Sequence, residues 1–247
     1  MSITSGTTIA DRLALVRETI GAACRRVGRP SDSVTLIAVG KTHPPATLLE
    51  AVACGQIHFG ENRVEEAAEK IPAVEDQLAR PVTWHMIGHV QNRKAEDVVA
   101  LFDVIHSLDS VKLAERYSRF AVELEKMVTV LLEVNVSGEA SKSGFNGAHW
   151  ERDSALRAAL WSDVARISAL PGIRLEGLMT VAPIATDPET VRPVFASLRR
   201  LRDALASDLP RASWRHLSMG MTDDYPVAIE EGSTMVRIGR AIFGERL

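Results

Sequence analysis

The chain reads as an α/β protein built on one (β/α)8 TIM barrel, a single domain over residues 1–247 with an extra helix at its N-terminus. Three observations predict this. Apolar runs of strand length alternate with helical patterns, the signature of a parallel sheet. There are eight such units in 247 residues, the size of a closed barrel. The segment after the first strand lacks the glycine-rich dinucleotide loop that usually opens a doubly wound sheet, the alternative architecture.

Each element has its own signal. Ile9, Leu13, Val16, Ile20 and Val27 share one helical face; Thr8 and Asp11 form a capping box, and Gly28 with Pro30 ends the helix. Strands follow at Val34–Val39, Ile57–Gly60, Val82–Ile87, Val104–Ser107, Val128–Val136, Ile173–Met179, Ser213–Leu217 and Thr234–Ile238. The helices between them are predicted over Pro44–Cys54, Arg63–Ile71 (ended or kinked by Pro72), Gln91–Leu101, Asp109 or Ser110 to Lys126, Ala148–Leu170, Glu189–Leu209, and Asp223 to Gly232. Ser137–Gly147 is a polar, glycine-rich loop, and Ala241–Leu247 a short terminal segment.

Bulk properties exclude several classes. With 46% hydrophobic and 25% charged residues the chain can bury a large core. A net charge of -3 gives no footing for nucleic acid or an anionic membrane. Cys24 and Cys54 both fall in predicted helices, so a disulfide framework is not expected and a reducing compartment is. Met1–Thr8 is polar, and no apolar run is long enough to span a bilayer, so the expected location is the cytoplasm.

In a barrel the chemistry lies where the strands end. Leu36-Ile-Ala-Val-Gly-Lys41 is a buried run that stops on a lysine. Desolvation beside an apolar wall disfavours the ammonium and leaves an amine able to attack an aldehyde. A merely solvated lysine is the alternative. Of the six lysines, however, Lys70, Lys94, Lys112 and Lys126 fall on helices and Lys142 in the loop, which leaves Lys41 alone on a strand end. Ser218-Met-Gly-Met and Arg237-Ile-Gly239-Arg240 follow the last two strands, a frequent phosphate site in barrels. Taken singly, Ser218 reads as a helix cap and Gly239 as an ordinary turn.

An amine and a phosphate cradle on one rim point to pyridoxal 5′-phosphate. Arg237 would then face the pyridine nitrogen. Guanidinium only donates, so the nitrogen would stay unprotonated and the ring would be a weaker electron sink. A salt bridge from Arg237 to a strand-end carboxylate such as Glu61 is the alternative. His85 and His89 have the spacing of a metal pair, but no further ligand stands near them in sequence, and no metal is expected.

These motifs together resemble a known family. Ile-Ala-Val-Gly-Lys41-Thr, Phe59-Gly-Glu-Asn62, Trp84-His-Met-Ile-Gly88, Ser141-Lys-Ser-Gly144, Gly177-Leu-Met179, Leu217-Ser-Met-Gly-Met-Thr-Asp-Asp224 and Gly232-Ser-Thr-Met-Val-Arg-Ile-Gly239 are similar, in order, to the pyridoxal phosphate homeostasis proteins (the YggS/PROSC family). The resemblance implies a barrel like the N-terminal domain of alanine racemase. It implies a Schiff base on Lys41, Asn62 near the ring, Arg237 on the pyridine nitrogen, and phosphate held by Ser218 and the backbone of Gly239 and Arg240. His43 and Arg240 depart from the family pattern, which more often has a lysine or polar residue and a threonine or serine there.

The function expected is carriage or buffering of pyridoxal phosphate, by a monomer, with apo-enzymes that use the cofactor as partners. Robust turnover is not expected. Tyr117 and Tyr225 fall on helices, and no second acid/base partner for Lys41 is visible. A fold-type-III racemase or lyase is the alternative, and a Schiff-base aldolase a third, disfavoured because such barrels generally carry their lysine on a later strand.

Overall fold

Eight parallel strands close into a barrel in this computed structural model, which describes residues 7–244. The strands are β1 (Thr35–Val39), β2 (His58–Glu61), β3 (Thr83–Met86), β4 (Val104–Leu108), β5 (Val128–Asn135), the short β6 (Phe145–Asn146) outside the ring, β7 (Ile173–Met179), β8 (His216–Ser218) and β9 (Met235–Ile238). β1 pairs with β2 on one side and β9 on the other, and β4 with β5 completes the ring. The helices are α1 (Ile9–Arg26), α2 (Pro45–Ala53), α3 (Val64–Glu75), α4 (Ala95–Leu101), α5 (Val111–Glu123), α6 (Ser154–Ser168), α7 (Arg192–Asp208), α8 (Tyr225–Glu230) and α9 (Arg240–Phe243).

Local sequence explains the helix starts. Thr8 Oγ1 accepts the Asp11 N–H while Asp11 accepts the Thr8 N–H, closing the predicted capping box. Ser110 caps α5 and Asp153 caps α6 in the same way from one side. The apolar faces so aligned make the main core between helices and barrel, with Leu13, Leu48, Phe59, Tyr117 and Phe195 fully buried. A second, small cluster of Ile37, Leu131, Met179 and Met235 fills part of the barrel interior. The register slips once between β5 and β7, at Val130/Leu131. Gly177 sits there with φ 155°, and a Cβ on it would lie 2.0 Å from the His216 carbonyl oxygen of β8 on its other side, so only glycine lets β7 pair with β8 at this point.

Several boundaries differ from the sequence reading. α3 runs through Pro72 to Glu75, because Ile71 and Val74 are buried and the Asp76 N–H takes the Pro72 carbonyl, holding the last turn. β8 begins at His216, after Trp214 has turned its indole N–H back to the Leu209 carbonyl. α6 begins at Ser154, since residues 148–153 form turns around His149 at φ 58°. The polar loop after β5 contains β6, and 3-10 turns at Asn92–Lys94 and Pro188–Val191 lead into α4 and α7. Residues 1–6 of the predicted polar N-terminus and 245–247 of the terminal segment lie outside the described residues. Among those described, no helix is long and apolar enough to cross a membrane.

Candidate functional site

β1 ends at Val39, and Lys41 stands half-buried in the turn beyond it. That turn is clamped. Lys70, buried on α3, donates from Nζ to the Gly40 carbonyl (2.8 Å), Glu61 Oε1 (2.8 Å) and Glu66 Oε1 (2.6 Å). Glu66 Oε1 also accepts the N–H of Thr42 at 2.5 Å, and Thr42 is left-handed at φ 67°. Glu61 ends β2 and is fully buried. Desolvation pushes its pKa up to about 7, against the opposing pull of Lys70 and, more weakly, Lys41. Its Oε2 is buried without a hydrogen-bond partner, as is Oδ1 of the next residue, Asn62. The end of β3 packs directly on Asn62: a Cβ at Gly88 would lie 2.2 Å from the Asn62 carbonyl oxygen.

Arg237 lies across the seam from β1, in β9, where it pairs in register with Ile37. It is buried. Nη1 donates to the carbonyl (2.8 Å) and hydroxyl (2.6 Å) of Ser218, and Nη2 donates to the Thr180 carbonyl (2.9 Å). Desolvation lowers its pKa to about 10, partly offset by the charges of Asp224 and Glu133, so it stays a cation at neutral pH. Among the described residues no carboxylate forms an ion pair with it. The Ser218 hydroxyl continues inward. It is 2.8 Å from His106 Nδ1, whose Nε2 is 2.9 Å from His85 Nδ1, whose Nε2 is 3.0 Å from His58 Nδ1. Burial pushes His85 down to about 3 and His106 well below the usual imidazole range, so both are neutral.

β9 leads through Gly239 into α9, where the Ile242 and Phe243 N–H groups take the Gly239 carbonyl at 2.9 Å. The side chain of Arg240 reaches Asp223 at 2.5 Å on the surface. His43 packs against Phe243 of α9, ring centroids 5.1 Å apart.

Lys41, Asn62, Ser218, Arg237, Gly239 and Arg240 thus stand at or just past the ends of β1, β2, β8 and β9, which are neighbours in the order β2-β1-β9-β8. Of the alternatives weighed from the sequence, the salt bridge from Arg237 to Glu61 is not formed, since Glu61 pairs with Lys70. The Ser218 hydroxyl is fully buried and engaged by Arg237 and His106. His85 joins the interior chain, while His89 is exposed and contacts Asp109 at 3.1 Å. Among the described residues no group of three His, Cys, Asp or Glu side chains is arranged to hold a metal. Tyr117 and Tyr225 are both buried in the outer core, away from the barrel interior.

Sequence reasoning missed Lys70, Glu66 and the triad His58, His85, His106. Lys70 had a signal: it falls on the apolar stripe Val64, Ala67, Ile71, Val74, four residues after Glu66. The histidines sit in or at the start of apolar strands, but only the barrel's register brings them into line. The assembled site offers an amine at the rim, a buried cation that can only donate, an unpartnered amide oxygen, and a helix start beyond β9. Together these suit a carbonyl compound with a hydrogen-bond acceptor on its ring and an anionic group.

The chain matches the model of the alanine racemase N-terminal domain over residues 16–247. It is 39% identical over 236 residues to the pyridoxal phosphate homeostasis protein of Aquifex aeolicus (strain VF5), covering 96% of this chain and 97% of that one. PipY of Synechococcus elongatus PCC7942 is similar in structure, with a TM-score of 0.83 and 38% identity without PLP, and 0.81 and 37% with PLP bound. Both matches cover 96% of this chain and 100% of the other.

Proposed function

The chain belongs to the alanine racemase N-terminal-domain family and, within it, to the pyridoxal phosphate homeostasis proteins, and from that premise we propose that it binds pyridoxal 5′-phosphate at the barrel mouth and carries or buffers it in the cell through Lys41. The observation that carries this reading is the pairing of two cations on adjacent strands: a half-buried lysine at the end of β1 and a buried arginine in β9 held by neutral groups alone.

The residues present fit the cofactor. Asn62 Oδ1 is a buried acceptor without a partner beside Lys41, and Arg237 is a fixed donor. When bound, pyridoxal phosphate supplies an aldehyde that an amine traps reversibly, and a ring that draws electrons from the trapped carbon. The protein's own residues decide how that chemistry is used. Lys70, Glu61 and Glu66 fix the turn that aims Lys41. Arg237 could offer the ring nitrogen of a bound cofactor only a donor, never an acceptor, and so would keep that nitrogen unprotonated. The N–H groups of Gly239 and Arg240, at the start of α9, would hold the phosphate. Ser218 enters through Arg237, since its hydroxyl is already bonded to that guanidinium.

A carrier reading suits this set. With Arg237 beside it the ring nitrogen would lack a proton source, and both tyrosines lie in the outer core, away from a place to act as a second acid. We place the protein in the cytoplasm as a one-domain monomer that hands the cofactor to apo-enzymes. The test is the absorption spectrum of the purified protein, then borohydride reduction and peptide mapping. The expected result is a yellow protein whose reduced adduct lies on the Lys41 peptide. An adduct mainly on Lys142 would reject the site. Mixing holo-protein with an apo-enzyme should restore that enzyme's activity. Fast, stereospecific turnover of one amino acid, abolished by Lys41→Ala, would replace the carrier with a racemase or lyase.

A further inference from the structure

We propose that His106 is a positioning residue for Arg237, acting through the Ser218 hydroxyl at the head of a one-way chain of imidazoles that runs through the barrel interior to His58 on its floor. The direction of the chain follows from arginine chemistry. A guanidinium has five donors and no acceptor, so the 2.6 Å contact between Arg237 Nη1 and Ser218 Oγ is a donation by Arg237. The Ser218 proton then needs an acceptor of its own. Among the described residues the other polar side-chain atom bonded to this hydroxyl is His106 Nδ1, at 2.8 Å.

His106 Nδ1 must therefore be bare and its proton must sit on Nε2. That proton is donated to His85 Nδ1 at 2.9 Å, which fixes His85 as the Nε2–H form as well. His85 in turn donates to His58 Nδ1 at 3.0 Å, and His58 is fixed likewise. One arginine thus sets the tautomer of three rings on three strands. Reversing the chain would leave the Ser218 hydroxyl proton buried without an acceptor, which costs on the scale of a lost buried hydrogen bond. Placing a second proton on any ring would bury a cation in line with Arg237. Burial already holds His85 and His106 neutral.

This arrangement does two things. Every imidazole turns its lone pair toward Arg237 and its N–H away, so three aligned dipoles add to the longer-range pull of Asp224 and Glu133 in keeping the guanidinium charged. It also fixes the Ser218 oxygen as an acceptor for Arg237 Nη1, which, with the Thr180 carbonyl on Nη2, holds the guanidinium in one orientation. At the far end His58, the first residue of β2, lines a recess of about 400 Å³ at the opposite face of the barrel, with Thr35, Leu36 and Gln56.

The cofactor part of this inference rests on the function proposed above, and the test separates the two. The first measurement needs no cofactor. Long-range 1H–15N correlation on the 15N-labelled protein at neutral pH, assigned with His58→Gln and the His106 variants, should show His58, His85 and His106 all as Nε2–H tautomers. An Nδ1–H form or an imidazolium at His85 or His106 overturns the chain. The second measurement is the dissociation constant for pyridoxal 5′-phosphate in two conservative variants. His106→Asn keeps an acceptor where Nδ1 was and loses the link to His85. His106→Gln keeps the distal nitrogen and loses the acceptor for Ser218. If His106 acts through Ser218 and Arg237, Asn stays within about twofold of the parent, Gln weakens binding about fivefold to tenfold, and that loss disappears in an Arg237→Gln background. Equal losses in Asn and Gln, or a Gln loss undiminished without Arg237, assign His106 to packing alone. A parent protein that binds no pyridoxal phosphate rejects the proposed function, and the tautomer pattern then decides the chain by itself.

Discussion

Lys70 and Arg237 are both buried cations near the barrel mouth, and they are neutralised by opposite means. Lys70 sits between two carboxylates and a carbonyl, with Nζ–O distances of 2.6–2.8 Å. Arg237 has two carbonyls and a hydroxyl, and behind the hydroxyl a file of neutral rings. The difference teaches what each is for. A lysine whose charge is cancelled within hydrogen-bond distance has nothing left for a ligand, so it serves as a clamp. A cation whose hydrogen bonds all go to neutral groups, with Asp224 and Glu133 acting only through longer-range attraction, keeps a charge that no bonded partner cancels.

The sharpest way to break this comparison is to remove each cation and measure folding. Lys70→Met leaves Glu61 buried with no counter-charge, and urea unfolding should show a loss of ~3–5 kcal/mol. Arg237→Met strands two carbonyls and the Ser218 hydroxyl oxygen but no bonded charge, and the loss should be smaller, about 1–3 kcal/mol. Equal losses would mean that the two sites are not different in kind. Retention of pyridoxal phosphate should rank the other way. Arg237→Met should weaken it about tenfold to a hundredfold, for one charge-assisted hydrogen bond lost from the ring nitrogen. Ser218→Ala should weaken it about tenfold, since it disturbs Arg237 without removing it.

pH sharpens the comparison on the Lys70 side. Glu61 titrates near 7 in the fold and near the ordinary 4.5 when unfolded, so between these values the folded state holds the extra proton. Its contribution is present in full at pH 4.5 and below, and it is lost as pH rises through 7. Stability of the parent, followed by chemical denaturation across this window, should fall more steeply with pH than that of Glu61→Gln. Identical slopes would show that Lys70 holds Glu61 ionised throughout. Arg237 stays charged across the same window, and no comparable slope should follow it.

The barrel and most of its mouth were legible in the sequence because each strand carries its own signal. Leu36 to Val39 is buried whichever neighbour it has, and a lysine one glycine later must stand on the rim. Pro72 misled for a related reason: its local effect is to stop a helix, and only the burial of Val74 overrides it. The inward partners of the Ser218 hydroxyl were not legible, because a serine at a strand end can face out to a ligand or in to the barrel. What decides is the presence of His106, 112 residues earlier in the chain. The interior file of histidines was invisible for the same cause. Strand alternation says that a residue points inward, but the stagger between strands decides which inward residues meet.

Thr42 adds a consequence for anyone redesigning the protein. At φ 67° it is one of three left-handed non-glycine residues among those described, and the only one with a branched Cβ. Its backbone N–H is tied to Glu66, so the turn after Lys41 behaves as a cocked spring whose catch at Thr42 is that one bond, beside the Lys70 clamp on Gly40. Thr42→Gly would uncock it, giving back up to about 1 kcal/mol of strain while freeing the turn to wander. A library screened for thermal tolerance should therefore enrich glycine at position 42, and one screened for tight hold on the cofactor should discard it. The two selections would pull one codon in opposite directions.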